Sequence, residues 1–293
     1  MFPSRILKQF NGSSKIKVLS YLNSNHATLL TPFEVTWNVM KNLSNEKARF
    51  KREMKLAEGN KELAEEMAKF PPPEDHIILV QHAPTYTVGR NFRMTSDNKK
   101  EGNNNFKGLG EAEELPKFHG GIPIFKIERG GDVTYHGPGQ LTAYFVFDLE
   151  KEGRKKDLRR FVEDLEEVVI EALNQLTGKK NIVGRDERNH GVWVIKEKRK
   201  IAAVGIACNR WVTSHGVGIN LDLVEGGRGA GFDGIRACGI GEEEDEGVTI
   251  CYREAWGGGN GSSVPTMEEA GLEVVRAFEE VFQVRAEWNG NGD

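Results

Sequence analysis

A twelve-residue segment near the middle of the chain combines bare backbone with charged and titratable side chains. Residues 129–140 read Arg-Gly-Gly-Asp-Val-Thr-Tyr-His-Gly-Pro-Gly-Gln. The glycines permit positive φ angles and close approach of a ligand to the backbone. Arg129 supplies a fixed cation, and His136 supplies a group that titrates near neutral pH. The segment predicts a binding loop for a polar or anionic ligand, with a plain glycine-rich hairpin turn as the structural alternative.

A lysine and a cysteine are further candidates for chemistry. Lys200 directly precedes the small, apolar run at 201–205, and partial burial there would lower its pKa and prepare it for acid/base work. A solvated surface lysine is the alternative, because basic residues precede it. Cys238 lies between Ala237 and Gly239, after an arginine, which is a setting that can activate a thiol. A structural cysteine is the alternative reading for Cys238.

The other polar candidates have a simpler structural interpretation. Cys208 and Cys251 follow apolar runs and are expected to be small buried hydrophobes. His215 and Asn220 interrupt a strand-like segment, where a histidine is more often a satisfied core group than a catalyst. Three cysteines without C-x-x-C spacing fit neither a disulfide scaffold nor a zinc ribbon, so we expect no metal site.

Composition and charge exclude whole classes of protein. The chain has 293 residues, with 40 Lys+Arg against 44 Asp+Glu and a formal net charge of -4. This mild negative balance argues against a nucleic-acid binder, which usually carries a basic excess. No apolar run is long enough for a membrane-spanning helix. The composition is that of an ordinary globular protein.

The first residues allow two interpretations. Residues 1–33 contain basic and hydroxylated side chains and no acid. Such a composition suits a mitochondrial transit peptide, which we place at residues 1–20, ahead of one catalytic domain at 21–293. A basic first strand is the alternative, because Ile16, Val18 and Tyr21 could lie in a sheet.

Two segments are expected to be inserts in that domain. Residues 45–70 are heavily charged and predict a solvated helical insert that breaks at Gly59-Asn60 and ends before Pro71. Residues 91–120 are polar and lack periodicity, which indicates a surface loop.

The remaining pattern mixes strands and helices without regular alternation. Apolar runs predict strands at 77–80, 122–127, 192–195, 201–208 and 217–221, and a half-buried strand at 141–147. Helices are predicted at 157–176, with Gly178 as a stop, and after a capping box formed by Thr266 and Glu269. The fold class is therefore α+β, or mixed α/β, in a single domain.

Taken together, these segments resemble the lipoyl(octanoyl) transferase family over residues 76–255. Residues 82–89 are similar to the family's H-x-P-x-[FY]-T-x-G motif, and residues 129–140 match R-G-G-x-x-T-Y-H-G-P-G-Q at every fixed position. Residues 200–205 resemble K-I-x-[AS]-[IVL]-G, and residues 215–220 resemble the end of F-H-G-x-x-x-N.

The cysteine motif resembles the family with one departure. Residues 237–239 look like the family's P-C-G, but Ala237 stands in place of proline. Residues 189–193 depart from the usual P-G-V-[WY], and residue 214 is not the aromatic that precedes the family's histidine. The two inserts suggest a eukaryotic, organellar member, located in the mitochondrial matrix, or in the cytoplasm if the N-terminus is not a transit peptide.

The resemblance implies an enzyme with a mixed α/β core like that of the biotin and lipoate protein ligases. Its reaction would move an octanoyl group from octanoyl-acyl carrier protein to a lysine of a lipoyl domain, the first step of endogenous protein lipoylation. The acceptors would be the lipoyl domains of 2-oxoacid dehydrogenases and the glycine cleavage H protein. The resemblance implies no cofactor.

The same resemblance assigns roles to residues. Cys238 would be the nucleophile that forms an acyl-thioester, and Lys200 would lower its pKa and shuttle protons. The residues that would line the substrate site are Arg129, Gly130, Gly131, Asp132, Val133, Thr134, Tyr135, His136, Ala203, Val204, Gly205, Gly216, Val217 and Gly218. His82, Tyr86 and His215 are additional candidates from the family's motifs.

Two other functions compete with this one. An ATP-dependent lipoate or biotin protein ligase would share the fold but would need no cysteine nucleophile. A non-catalytic acyl- or lipoyl-domain binding protein would fit a degenerate site. The joint presence of Lys200, Cys238 and the complete R-G-G-x-x-T-Y-H-G-P-G-Q pattern favours the transferase.

Overall fold

The computed structural model describes residues 16–22, 30–92, 117–151, 157–186, 190–223, 232, 251–256 and 264–288. Cys238, most of the predicted loop at 91–120 and residues 1–15 lie outside the described residues. In chain order, the strands are β1 (Ile16–Tyr21), β2 (Asp75–Val80), β3 (Thr85–Val88), β4 (Phe118–His119), β5 (Ile122–Lys126), β6 (Val133–His136), β7 (Gln140–Val146), β8 (Val183–Arg185), β9 (Val192–Val194), β10 (Arg199–Asn209), β11 (Val212–Asn220) and β12 (Ala286–Trp288). The helices are α1 (Phe33–Ala57), α2 (Lys61–Met67), α3 (Leu158–Thr177), α4 (Tyr252–Trp256) and α5 (Met267–Phe282).

Within those ranges the strands form two sheets. The larger sheet has eight strands in the order β12-β1-β2-β7-β11-β10-β9-β8, and the smaller has four in the order β4-β5-β3-β6. In the larger sheet β1 runs parallel to both of its neighbours, and the other pairs are antiparallel. The predicted mixed α+β class is confirmed. The described helices include none that is both long and apolar enough to cross a membrane.

Helices α3 and α5 cover one face of the larger sheet, and both begin where the sequence predicts. The Asp157 side chain accepts the N–H of Arg160 and caps α3, and Gly178 ends that helix with a φ of 63°. Thr266 and Glu269 form the predicted reciprocal capping box of α5. The main hydrophobic core lies between these helices and the sheet.

Helix α1 covers the opposite face, which changes the environment of β7. Phe33 and Met40 of α1 form a second buried cluster with Tyr144 and Val146 of β7, while Phe145 faces the main core. The prediction of a half-buried strand at 141–147 is therefore wrong, because β7 lies between helices on both sides and each of its residues is buried.

The charged segment at 45–70 is helical, but it is not entirely solvated. Its helices break at Gly59-Asn60 as predicted, and the Asn60 side chain caps α2 by accepting the N–H of Leu63. Lys47, however, is only 2% exposed, and its Nζ lies 2.8 Å from Oδ1 of fully buried Asp75. The prediction of a solvated surface is wrong for Lys47, because this lysine turns inward to a carboxylate at the start of β2.

The first strand overlaps the segment that the sequence assigned either to a transit peptide or to a basic strand. In β1, Ile16 and Val18 are fully buried in the main core. Residues 16–21 therefore form a strand, as the second interpretation predicted. A leader that extended to residue 20 would remove most of β1.

Candidate active site

A cavity of about 450 Å³ lies where the glycine-rich segment meets β7, β10 and β11. Its volume is within the range of about 300–1,000 Å³ that is usual for small-molecule sites. Most of the predicted site residues line it: residues 129–134, His136, Lys200, residues 203–205 and residues 215–218. Tyr135, His82 and Tyr86 are not among the lining residues, and Cys238 is outside the described residues.

One wall of the cavity consists of small residues on the adjacent strands β10 and β11, next to β7. Gly205 of β10 pairs with Gly216 of β11, which pairs with Tyr144 of β7. Two residues further along each strand, Ala203 pairs with Gly218. A Cβ on Gly216 would collide with a carbonyl oxygen of β7. The glycines of this wall therefore leave room for neighbouring groups of the protein: a Cβ on Gly218 would lie 2.9 Å from Gln140 Oε1.

Arg129 anchors the glycine-rich segment as well as charging the cavity. The side chain is 7% exposed, and its Nη2 donates to the Thr87 carbonyl oxygen at 2.7 Å and to Thr87 Oγ1 at 3.0 Å. Its Nη1 donates to the Gly130 carbonyl oxygen at 2.8 Å. The aliphatic part of Arg129 lies over Gly205, where an added Cβ would be 2.9 Å from its Cδ. The sequence indicated the cation but not this anchoring role.

A chain of hydrogen bonds fixes the proton of His136. Gln140 Nε2 donates to the Tyr135 carbonyl oxygen at 3.1 Å and to Asn220 Oδ1 at 2.9 Å. Its Oε1 therefore accepts from His136 Nδ1, 2.7 Å away. Burial, reinforced by the neighbouring His82 and Arg129, lowers the pKa of His136 to about 3. His136 is thus a neutral imidazole with its proton on Nδ1.

His82 lies behind the cavity wall and orients a residue that lines it. Its Nδ1 lies 3.2 Å from the Thr31 carbonyl oxygen, and its Nε2 lies 2.7 Å from the Tyr144 hydroxyl. Because a carbonyl only accepts, Nδ1 carries the proton and Nε2 accepts from Tyr144. Burial lowers the pKa of His82 to about 4 and raises the pKa of Tyr144. His82 is therefore a neutral acceptor that positions Tyr144.

Tyr86 and Tyr135, the two other predicted site residues that do not line the cavity, pack in the core of the smaller sheet. Tyr86 and Tyr135 are buried in one cluster with ring centroids 5.6 Å apart. The Tyr135 hydroxyl occupies the place that a Cβ on Gly137 would need. The Tyr135 ring therefore packs against the glycine-rich segment at Gly137, on residues that do not line the cavity.

His215 has an unusual backbone conformation at the cavity. Its φ is 64°, in the left-handed region that disfavours residues with a side chain. Its Nε2 lies 3.8 Å from Glu128 Oε2. Burial lowers the pKa of His215, and His215 in turn lowers the pKa of the Glu128 carboxyl. Strained residues of this kind cluster at functional sites, at a cost of about 1–3 kcal/mol each.

Lys200 reaches the cavity beside an aromatic ring. Its Nζ lies 4.9 Å from the centre of the Trp193 ring, within the range of a cation–π interaction. By contrast, Cys208 and Cys251 are not cavity-lining residues. Cys251 is buried as predicted, whereas Cys208 is only partly buried, so the prediction of full burial is wrong for Cys208. Partial burial still raises the pKa of the Cys208 thiol, which disfavours its thiolate.

Several lining residues were missing from the predicted site. Gln140, Thr142 and Tyr144 alternate along β7 toward the cavity, and Asn220 joins them from β11. Polar residues at every second position of an otherwise apolar strand are the signal that could have found them. In the described part of the chain, no three His, Cys, Asp or Glu side chains form a group that could hold a metal ion.

Comparison with known sequences gives consistent relatives. The model of the lipoyl protein ligase A/B catalytic domain matches residues 58–226. The octanoyltransferase of Caldanaerobacter subterraneus subsp. tengcongensis is 36% identical over 228 residues, covering 72% of this chain and 78% of the relative. That of Desulforamulus reducens is 36% identical and covers 73% and 80%. That of Brucella suis biovar 1 is 38% identical and covers 71% and 68%.

Solved structures show the same fold. Lipoate-protein ligase A bound with ATP superposes with a TM-score of 0.52 at 11% identity, covering 96% of this chain and 90% of the other. The structure of a bipartite lipoate protein ligase and its E2 lipoyl domain from Thermoplasma acidophilum gives a TM-score of 0.51 at 13% identity, covering 95% and 88%. These likenesses confirm the predicted lipoate-ligase core. The family model matches more than half of the chain and the octanoyltransferases align with more than two thirds of it, so this chain belongs to the lipoyl protein ligase A/B catalytic-domain family.

Proposed function

We propose that this protein is an octanoyltransferase that moves an octanoyl group from octanoyl-acyl carrier protein to a lysine of a lipoyl domain. The observation that carries the proposal is the cavity in which Lys200, the anchored glycine-rich segment and the small-residue wall of β10 and β11 meet. The octanoyltransferase names of its relatives support the same reaction.

The cavity suits an acyl chain next to a polar group. Val204, Val217 and Val162 supply apolar lining, while Thr142 and Asn220 supply polar lining. Burial of each methylene group contributes about 0.8 kcal/mol. An eight-carbon chain can therefore lie against the apolar side while its carbonyl stays among hydrogen-bonding groups.

The proposed chemistry has two acyl transfers. Proton transfer from the Cys238 thiol to the Lys200 amine gives a thiolate beside an ammonium. The sulfur attacks the thioester carbonyl, a new carbon–sulfur bond forms, and the carrier thiolate leaves with the proton from Lys200. The amine of the acceptor lysine then attacks, gives a proton to neutral Lys200, and releases the Cys238 thiolate. Transfer from one thioester to another is nearly neutral in free energy, and transfer from a thioester to an amide is favourable. The reaction therefore needs no nucleotide.

The electrostatics of the described site favour this reaction over one that uses a charged histidine. His136, His82 and His215 all have lowered pKa values because of burial. They are neutral at physiological pH, so the positive charge among the described lining residues comes from basic side chains such as Arg129 and Lys200. A lysine ammonium near the cysteine would favour its thiolate, whereas neutral imidazoles leave that task to the lysine.

The test is transfer without nucleotide. The protein is incubated with octanoyl-acyl carrier protein and a lipoyl domain, in the absence of ATP and magnesium, and each protein is weighed by intact-mass spectrometry. We expect one octanoyl group on the lipoyl domain and, when the acceptor is omitted, one on this protein at Cys238. Acylation that requires free octanoate or lipoate with ATP would instead identify a ligase, and no acylation under either condition would identify a binding protein.

We also propose a mitochondrial matrix location, which the basic, acid-free composition of residues 1–15, ahead of β1, supports. Fluorescence microscopy of the full chain with a C-terminal tag checks it, and a uniformly cytoplasmic signal contradicts it.

A further inference from the structure

Helix α3 carries a carboxylate that is buried beneath the segment entering β9. Glu166 is 3% exposed. Its Oε1 accepts the backbone N–H of Gly191 at 2.8 Å, and its Oε2 lies 3.2 Å from Arg185 Nε. An ionised carboxylate is costly to bury unless it is paired and hydrogen-bonded. These contacts offset that cost and fix the position of Gly191.

Gly191 connects this carboxylate to the cavity. Its φ is 116°, a conformation that residues with a side chain rarely adopt. A Cβ on Gly191 would lie 2.6 Å from the Ala202 carbonyl oxygen and 3.4 Å from both Cδ and Cε of Lys200. The backbone of Gly191 is therefore in direct packing distance of the Lys200 side chain, and a shift of this backbone would move one wall of the space that holds the lysine.

Trp193 forms a second side of the space that holds the Lys200 side chain. Lys200 and Trp193 are register partners in the β9–β10 pair, and the Lys200 Nζ lies 4.9 Å from the ring centre. Cation–π contacts of this kind favour one placement of a lysine ammonium.

A β-bulge completes the arrangement. The register shifts between Lys200 and Ala202, so that Ile201 is the additional residue of β10. As a result, Ile201 and Ala202 are both in the main core, whereas Lys200 and Ala203 both line the cavity. Bulges next to functional sites re-aim side chains in this way.

We propose that Glu166 is a positioning residue for Lys200, acting through Gly191, in the transfer reaction of the proposed function, on which this inference rests. A lysine side chain has many rotamers, and only a few place its nitrogen where it can exchange protons with reacting groups. Gly191 and Trp193 restrict the stem and the ammonium, and Glu166 holds Gly191 in place. Supporting hydrogen bonds of this type decide how precisely a reacting group is held.

The test compares Glu166→Ala with Glu167→Ala. Glu167 is the adjacent residue and also pairs with Arg185, at 2.6 Å, but its side chain is 39% exposed. With a small octanoyl thioester as donor, we expect Glu166→Ala to lower kcat by tenfold or more with KM within about twofold, because misplacement by about 1 Å can cost 100-fold. Glu167→Ala should keep the wild-type kcat. Glu166→Gln, whose amide oxygen can still accept the Gly191 N–H, should recover most of the loss.

A second readout does not depend on activity. Trace acetic anhydride labelling of amines, quantified at Lys200 by peptide mass spectrometry against pH, reports the environment of that nitrogen. We expect the labelling curve of Lys200 to shift in Glu166→Ala and in Gly191→Ala, but not in Glu167→Ala. If Glu166→Ala does not fold, Glu166→Asp, whose shorter side chain places its carboxylate farther from the Gly191 N–H, provides the same comparison, and the curve of Glu166→Gln should match that of the wild type.

The outcomes separate the two proposals. An inactive wild type with a Lys200 labelling shift in Glu166→Ala would overturn the proposed transfer reaction but keep the positioning of Lys200. An active wild type with the same kcat and labelling curve in Glu166→Ala would overturn the positioning role. Equal losses in Glu166→Ala and Glu167→Ala would also overturn it, because the effect would then belong to the Arg185 ion pairs.

Discussion

His136 Nδ1 lies 2.7 Å from Gln140 Oε1, and both side chains are buried and line the cavity. The amide nitrogen of Gln140 is bonded elsewhere, to the Tyr135 carbonyl oxygen and to Asn220. This arrangement stabilises only one neutral form of His136. Protonation of the ring would place a buried charge near Arg129, which is why its pKa is about 3.

The first prediction concerns stability against pH. The ordinary pKa of 6.5 applies to His136 in the unfolded chain, and about 3 applies in the folded chain. As pH falls from 6.5 toward 3, the unfolded state takes up a proton and the folded state does not, so stability is lost on acidification. One such group contributes up to about 1.4 kcal/mol per pH unit. Urea denaturation between pH 7 and pH 4.5 should therefore show a smaller loss in His136→Asn than in wild type.

The control for that experiment is Val146→Ala. Val146 is fully buried and carries no titratable group, so its replacement should lower stability by a similar amount at each pH and leave the pH dependence of the wild type unchanged. Identical dependence in His136→Asn and wild type would mean that His136 titrates normally in the folded protein.

The second prediction concerns the buried ion pair of α1. Lys47→Met leaves Asp75 buried with only one of its two lysines, since Lys151 Nζ remains 3.1 Å away. Breaking a buried pair typically costs about 3 kcal/mol or more, and we expect a loss of about that size in urea denaturation. Arg49→Met, on the same helix, removes a surface pair whose arginine is 73% exposed, and it should cost less than about 0.5 kcal/mol. Similar losses in both variants would show that burial does not matter at Lys47.

The third prediction concerns Cys238 and Lys200. If Lys200 favours the thiolate, iodoacetamide should alkylate Cys238 at lower pH in the wild type than in Lys200→Met. Lys200→Arg keeps the charge but exchanges no proton near neutral pH, so it should recover alkylation better than turnover. Cys238→Ala should abolish transfer, while Cys208→Ala should retain it. An unchanged alkylation profile in Lys200→Met, or an octanoyl group on Cys208, contradicts these assignments.

The fourth prediction concerns the donor protein. Lys196 and Lys198 are exposed on the turn that leads into β10 and Lys200. The family resemblance implies an acidic carrier protein as the donor. The double variant Lys196→Glu with Lys198→Glu should therefore raise the KM for octanoyl-carrier protein and weaken the salt dependence of that KM. Activity toward a small octanoyl thioester should hardly change. Equal losses on both donors would show that the site itself was damaged and that this turn is not the docking surface.

Features governed by local chemistry could be predicted from the sequence. The cap at Asp157, the stop at Gly178 and the box of Thr266 with Glu269 each depend on residues within one turn, and all three are present. The grouping of residues 129–136 with residues 203–205 and 215–218 came from family motifs rather than from spacing. The cavity brings most of these residues together.

Features governed by distant partners could not be predicted. The charge run at 45–70 does not reveal that Lys47 meets Asp75, and the apolar alternation of β7 does not reveal that α1 covers its second face. Arg129 bonds to Thr87, which is 42 residues away. In the sequence Glu166 is one of several acids on an amphipathic helix, and only the structure shows that it accepts the backbone N–H of Gly191.

The pairing of β1 with β12 has a consequence for how the chain folds. Ile16 lies beside Ala286 in register, and Lys17 Nζ bonds to Glu287 Oε2 at 2.7 Å across 270 residues. Contacts so distant along the chain close large loops and form slowly. During synthesis, β1 therefore leaves the ribosome long before its outer partner exists, and one of its edges stays unpaired until α5 and β12 emerge. The nascent protein is thus vulnerable to strand-to-strand association at this edge until residues 286–288 are made, and the order of synthesis completes this edge after the other described strand pairs of the large sheet.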